Sequence, residues 1–84
     1  MKKIAIDGTK MSGRYRVDCE CGMSCQGRAG RATKVRSPAL PVAEAVAHME
    51  LSHPDEQMDL VFSRMFVDWM MQYWGQMTNK HSKW

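Results

Sequence analysis

Two short stretches hold the side chains best suited to joint chemistry, Cys19-Glu20-Cys21-Gly22 and His48-Met49-Glu50-Leu51-Ser52-His53. Two soft thiolates and two imidazoles make up a full tetrahedral shell for zinc. A shell filled entirely by protein leaves no open position for water or substrate, so the chemistry is that of a structural ion tying distant parts of a chain together. Cys25 is the rival ligand: in place of His48 or His53 it would give three thiolates and one imidazole. No Ser-His-Asp set and no glycine-rich phosphate loop accompanies these residues, and Glu44 and Glu50 read as solvated helix positions. Neither an enzyme nor a small-molecule substrate is expected.

The backbone must deliver these ligands. Arg14 to Cys19 alternates without a break, with Tyr15, Val17 and Cys19 on one face and Arg14, Arg16 and Asp18 on the other, the pattern of a half-buried strand that carries Cys19 inward. Two cysteines at i and i+2 of a flat strand stand about 6–7 Å apart, whereas thiolates on one zinc are about 3.8 Å apart. The chain must therefore bend over Glu20 to Gly22, where a glycine permits the positive φ such a bend needs. A return strand over Met23 to Gln26 completes a hairpin, followed by a basic loop over Gly27 to Thr33 and an extended Lys34-Val35-Arg36. Upstream, Lys3-Ile4-Ala5-Ile6, closed by Asp7-Gly8, reads as a short edge strand.

Pro41 fits the first turn of a helix, and Val42, Ala45, Val46 and Met49 form the apolar stripe of an alanine-rich helix from Pro41 to Leu51. His53 lies five residues after His48, about 140° round an ideal helix. The last turn must loosen for both rings to reach one ion, and Pro54 ends the helix there. From Pro54-Asp55-Glu56 onward the spacing of Met58, Val61, Phe62, Met65, Phe66 and Trp69, continued to Met77, predicts a second, longer helix. The chain thus divides into a finger-like unit with an N-terminal strand over 1–54, a long amphipathic C-terminal helix over 55–79 and a basic tail over 80–84.

Two cysteines on a hairpin and two histidines at the end of one helix resemble zinc-finger-like ββα domains, and more closely small bacterial and phage proteins with a Cys-x-Cys-Gly motif and a downstream His-x4-His. The resemblance spans residues 14–54 through Cys19, Cys21, Gly22, His48 and His53. It departs from the finger pattern in the single residue between the cysteines and in the 26 residues between Cys21 and His48. It implies a small α+β zinc-stapled domain, hairpin plus helix, in an accessory or regulatory protein that binds a host protein or complex.

A chain of 84 residues is one domain that buries only about 60% of its unfolded surface, so a staple is expected. The three cysteines cannot all pair with one another, nothing before Cys19 reads as a signal peptide, and no apolar run approaches the roughly 20 residues of a membrane span. A cytoplasmic location is the expectation, because thiols there are metal ligands or buried hydrophobes more often than disulfides. Charge is unevenly distributed: before residue 42 nine Lys or Arg face three acids, and over 42–79 one faces six. The cluster of Arg14, Arg16, Arg28, Arg31, Lys34 and Arg36 makes nucleic-acid binding the alternative function. The favoured function is a protein-interaction module. Its Met- and Trp-rich helix would present Phe62, Met65, Phe66, Trp69, Met70, Tyr73 and Trp74 to a protein partner or to its own copy in a homodimer.

Overall fold

The computed structural model describes residues 1–29 and 37–81, with side chains as far as Gly75. Its elements run β1 (Lys2–Gly8), β2 (Arg14–Cys19), β3 (Ser24–Arg28), α1 (Ala39–Ser52), β4 (Met58–Phe62) and α2 (Arg64–His81). β1 and β2 are antiparallel, with Ile4 opposite Cys19 and Ile6 opposite Val17. β3 joins β2 antiparallel, with Val17 opposite Cys25, and β4 joins β1 in parallel, with Ile4 opposite Leu60 and Ile6 opposite Phe62. The sheet order is β3-β2-β1-β4, so the chain from β3 through α1 to β4 crosses over two strands.

Because side chains alternate along a strand, these registers place Ile4, Ile6, Gly8, Tyr15, Val17 and Cys19 on one face, all buried. Both helices lie on that face, α1 chiefly over β2 and α2 over β1. Ala45, Met49, Phe66 and Trp69 close the core from the helical side. The opposite face carries Lys3, Ala5, Asp7, Arg14, Arg16, Ser24, Gln26 and Arg28, all exposed, and no described element covers it. The result is a small α+β domain with a one-sided, four-stranded sheet.

Several expectations change. β1 lies inside the sheet rather than at its edge. Ala5, which interrupts the apolar run, simply faces solvent, and Gly8, read as a turn residue, is the last inward position of the strand. A β-carbon on Gly8 would stand 3.1 Å from the Trp69 ring, so the missing side chain is what lets the indole sit down on the strand. The boundaries also move: β3 runs on to Arg28 instead of ending at Gln26, and α1 begins at Ala39.

The single helix over 55–79 does not form. Residues 54–56 make a turn, with the Glu56 amide donating to the His53 carbonyl at 3.1 Å, and residues 58–62 are a strand. Met58, Leu60 and Phe62 alternate with period two, a reading the spacings of three and four conceal, and the free edge of β1 supplies backbone partners that reward extension. Ser63 then turns the chain. Its amide donates to the Ile6 carbonyl at 2.9 Å, its Oγ accepts from the Phe66 amide at 3.1 Å and donates to Asp7 Oδ1 at 2.6 Å, so α2 is capped and starts at Arg64. The sheet therefore spans the boundary drawn at residue 54, since β4 belongs to it. Of the expected loop, Gly30 to Thr33 lie outside the described residues, as do Lys34-Val35-Arg36 and the tail beyond His81. Among the described residues, no helix is long and apolar enough to cross a membrane.

Candidate metal centre

β2 ends at Cys19, and the chain reverses at once. The Gly22 amide donates to the Cys19 carbonyl at 2.9 Å and the Cys19 amide donates to the Met23 carbonyl at 2.8 Å. Gly22 takes φ 104°, a left-handed conformation that side-chain-bearing residues rarely adopt. The turn is also fastened to β1, because the Glu20 amide donates to the Lys3 carbonyl at 3.1 Å and Glu20 Oε1 accepts from the Lys3 amide at 3.2 Å. Across from it, α1 ends at Ser52 and His53 leaves helical geometry at φ −137°, ψ 54°, while its amide still donates to the Met49 carbonyl at 2.9 Å. That departure cancels the angular offset of an ideal helix and brings the His48 and His53 rings to 5.0 Å, edge to face.

The ligand atoms of Cys19, Cys21, His48 and His53 all lie within 4.8 Å of one another. Cys21 Sγ is 3.5 Å from His48 Nε2 and Cys19 Sγ is 3.8 Å from His53 Nε2. Sulfur and nitrogen ligands on one tetrahedral zinc are about 3.5 Å apart. The four side chains are thus close enough to hold one metal ion, and the two-sulfur, two-nitrogen donor set is one that fits zinc. Cys19 is buried, the histidines are half-buried and Cys21 is exposed, which puts the site at the rim of the core.

The electrostatics favour a cation here. The Met23 amide directed at the Cys21 sulfur, helped by the His53 and Cys19 side chains, holds that thiol down at about 6. Burial pushes the Cys19 thiol up, against the Cys21 amide and the Lys2 charge, which favour its thiolate, and a cation brought into the site would favour that thiolate further. His53 presents its other nitrogen, Nδ1, to Glu56 Oε2 at 3.4 Å, and Glu56 in turn pairs with Lys2 at 3.7 Å. A carboxylate on the far nitrogen orients an imidazole and directs Nε2 toward the sulfurs. Glu56, taken from the sequence as a helix-start acid, is the part of this arrangement that spacing did not reveal.

Cys25 stands apart from the four. Its thiol donates to Glu44 Oε2 at 3.1 Å beneath α1, and burial together with Glu44 pushes it up to about 11. Tyr15 donates its hydroxyl to the other oxygen, Glu44 Oε1, at 2.9 Å, and burial with the same carboxylate pushes the phenol up to about 12. Glu44 is therefore half-buried and doubly engaged rather than solvated.

The residues assigned to a partner face divide. Phe66 and Trp69 are 0% and 1% exposed and belong to the core. Their rings meet edge to face at 5.6 Å. Phe62, Met70 and Tyr73 are half-buried, while Met65 and Trp74 are exposed. Trp69 and Trp74 are five residues apart, about 140° on a helix, so they cannot share a stripe. Of the basic cluster, Arg14, Arg16 and Arg28 stand on the uncovered face of the sheet, whereas Arg31, Lys34 and Arg36 lie outside the described residues. Comparison with protein-family models, curated proteins and solved structures returns no significant match to this chain.

Proposed function

We propose that the chain is a small interaction module stapled by a structural zinc ion held by Cys19, Cys21, His48 and His53. The observation that carries this reading is the approach of four ligand atoms, two from the β2–β3 turn and two from the end of α1, to within 4.8 Å of one another. A bound ion would neutralise the thiolates and cross-link the two segments, and with every position taken by protein it has no catalytic part. Such a site suits a reducing compartment, where thiols stay available to metal.

The partner surface in this reading is the cleft between the first turn of α1 and the far half of α2. It measures about 140 Å³ and is lined by Pro38, Ala39, Val42, Met70 and Trp74. Trp74 is half exposed and Met71 beside it more so. Broad aromatics and adaptable thioethers are the anchors that protein partners use, whether a second copy or another chain. Elemental analysis of the purified full chain should give one zinc per chain. Trp74→Ala should reduce self-association in light scattering, or capture of a host protein, without lowering the zinc content. A metal-free folded chain, or undiminished binding by Trp74→Ala, overturns the reading.

A second reading rests on the uncovered face. Arg14 and Arg28 are direct cross-strand neighbours, and like charges so placed repel by a few tenths of a kcal/mol or more. Arg16 is paired with Asp18 at 2.9 Å, and Arg28 Nε donates to the Ser12 carbonyl at 3.1 Å. The Arg14–Arg28 pair has no carboxylate in an ion pair with it among the described residues, so it would be the seat for an anion such as a nucleic-acid phosphate. Heparin or DNA retention that falls steeply with salt supports this use, and absence of retention at low salt rejects it.

A further inference from the structure

Glu44 lies four residues before His48, one turn away on the same side of α1. Its two oxygens accept from two different strands: Tyr15 of β2 at 2.9 Å and Cys25 of β3 at 3.1 Å. Those strands form the hairpin whose turn carries Cys19 and Cys21. One side chain on the helix is thus pinned against both arms of the hairpin, a turn short of the place where helix and hairpin share ligands. Gly27 completes the device. It faces Tyr15 across the strands, and a β-carbon there would stand 2.6 Å from Tyr15 Cζ. Its absence lets the phenol lie across β3 and reach the carboxylate.

Two contacts from separate strands fix both the position and the rotation of a helix, as a single contact does not. α1 needs such fixing, because the side chains it buries are only Pro41, Ala45 and Met49. A rotation by a fraction of a turn would carry His48 away from Cys21, to which it now stands at 3.5 Å. The geometry points to Glu44 as a positioning residue for the metal centre: gripped by Tyr15 and Cys25, it sets the rotation of α1 that brings His48 to Cys21. This inference rests on the zinc reading above and adds a residue that touches no ligand.

The test uses the full chain with Co²⁺ and Zn²⁺. Affinity is measured by competition with a chromophoric chelator, and ligand geometry by the visible absorption of the cobalt form. Glu44→Ala should lower affinity about tenfold, the lower end of the cost of losing a group that orients a ligand. The tetrahedral cobalt bands should weaken as water replaces His48, while the thiolate charge-transfer band persists. In a His48→Ala background, Glu44→Ala should change affinity less than about twofold, whereas in a His53→Ala background the full loss should remain. Glu50→Ala, exposed on the same helix, is the control expected to behave as wild type. If Glu44→Ala does not fold, Tyr15→Phe keeps the buried ring, removes only the donor, and carries the same cycle. Equal losses in both histidine backgrounds, or wild-type affinity and spectrum in Glu44→Ala, overturn the inference. A wild-type chain that takes up neither ion overturns the zinc reading itself.

Discussion

Trp69→Ala and Trp74→Ala test which aromatic residues are structural. Trp69 is 1% exposed, stacks edge to face on Phe66 at 5.6 Å and rests on Gly8, where a β-carbon would come within 3.1 Å of its ring. Removing a buried indole from a close-packed site costs about 3–5 kcal/mol. A chain of 84 residues has a total stability of only about 4–13 kcal/mol at 0.05–0.15 kcal/mol per residue. With each kcal/mol worth about 4–8 °C in a domain of this size, Trp69→Ala should melt at least about 12 °C below wild type or fail to fold at all. Trp74 is 50% exposed, so Trp74→Ala should cost about 1 kcal/mol or less. Thermal melts by circular dichroism of the metal-loaded chains measure both. Equal losses, or a Trp69→Ala chain within about 4 °C of wild type, would refute the assignment of Trp69 to the core and of Trp74 to the surface.

Chelation or Cys21→Ser should unfold the domain, because structural zinc contributes about 10–16 kcal/mol of apparent binding energy, comparable to or above the whole stability expected at this length; a melt in excess chelator checks it. Gly27→Ala should destabilise by about 1–3 kcal/mol through its collision with the Tyr15 ring, while Gly75→Ala, with nothing within 4 Å, should stabilise by about 0.5–1 kcal/mol as alanine replaces glycine in an exposed helix. Tyr15 and Cys25 are raised from 10.0 and 9.0 to about 12 and about 11. A raised folded-state value means that their contribution is whole below pH 9 and is lost as pH climbs through the raised values. Melting temperature should therefore fall on the alkaline side, and the paired change Tyr15→Phe, Cys25→Ala should flatten that limb.

That Cys19, Cys21, His48 and His53 come together was legible because residue type, spacing and a glycine at the bend each point to one candidate site, and the strand ending at Cys19 alternates too cleanly to read otherwise. β4 was hidden because Met58, Leu60 and Phe62 satisfy a helical spacing as well as a strand's, and the deciding partner, the free edge of β1, lies more than fifty residues away in the chain. Ser63 was the local signal that could have moved the helix start, being an N-cap residue just before Arg64. Glu44 was unreadable for a different reason: its role needs Tyr15 and Cys25 on two strands and the missing side chain of Gly27, none of which a helix pattern contains. Trp69 and Trp74 are assigned together to a partner face from sequence, although the angle of about 140° between them on a helix already argues against one stripe; which of the two is buried needed the sheet beneath α2.

The two helices are held by different means, and this determines how the fold should fail. α2 places the large rings of Phe66 and Trp69 in the core, whereas α1 buries Pro41, Ala45 and Met49, so in the proposed zinc reading the four ligands and Glu44 would supply much of what holds α1. Yet α1 lies over β2, where Glu44 accepts from Tyr15, and the chain leaving it leads straight to β4. If the proposed zinc is bound, withdrawing it should free α1, expose the inward face of β2 and loosen the crossover that keeps β4 against β1. What begins as release of one helix must then reach Trp69, which sits over β1 on the other side of the core. In a Trp74→Phe, Trp84→Phe chain, Trp69 is the sole tryptophan, and its emission should shift red in step with the loss of helical signal as chelator is added. Emission that stays blue while helicity falls would show that α1 can leave without the rest, and that the ion staples one helix rather than the whole domain.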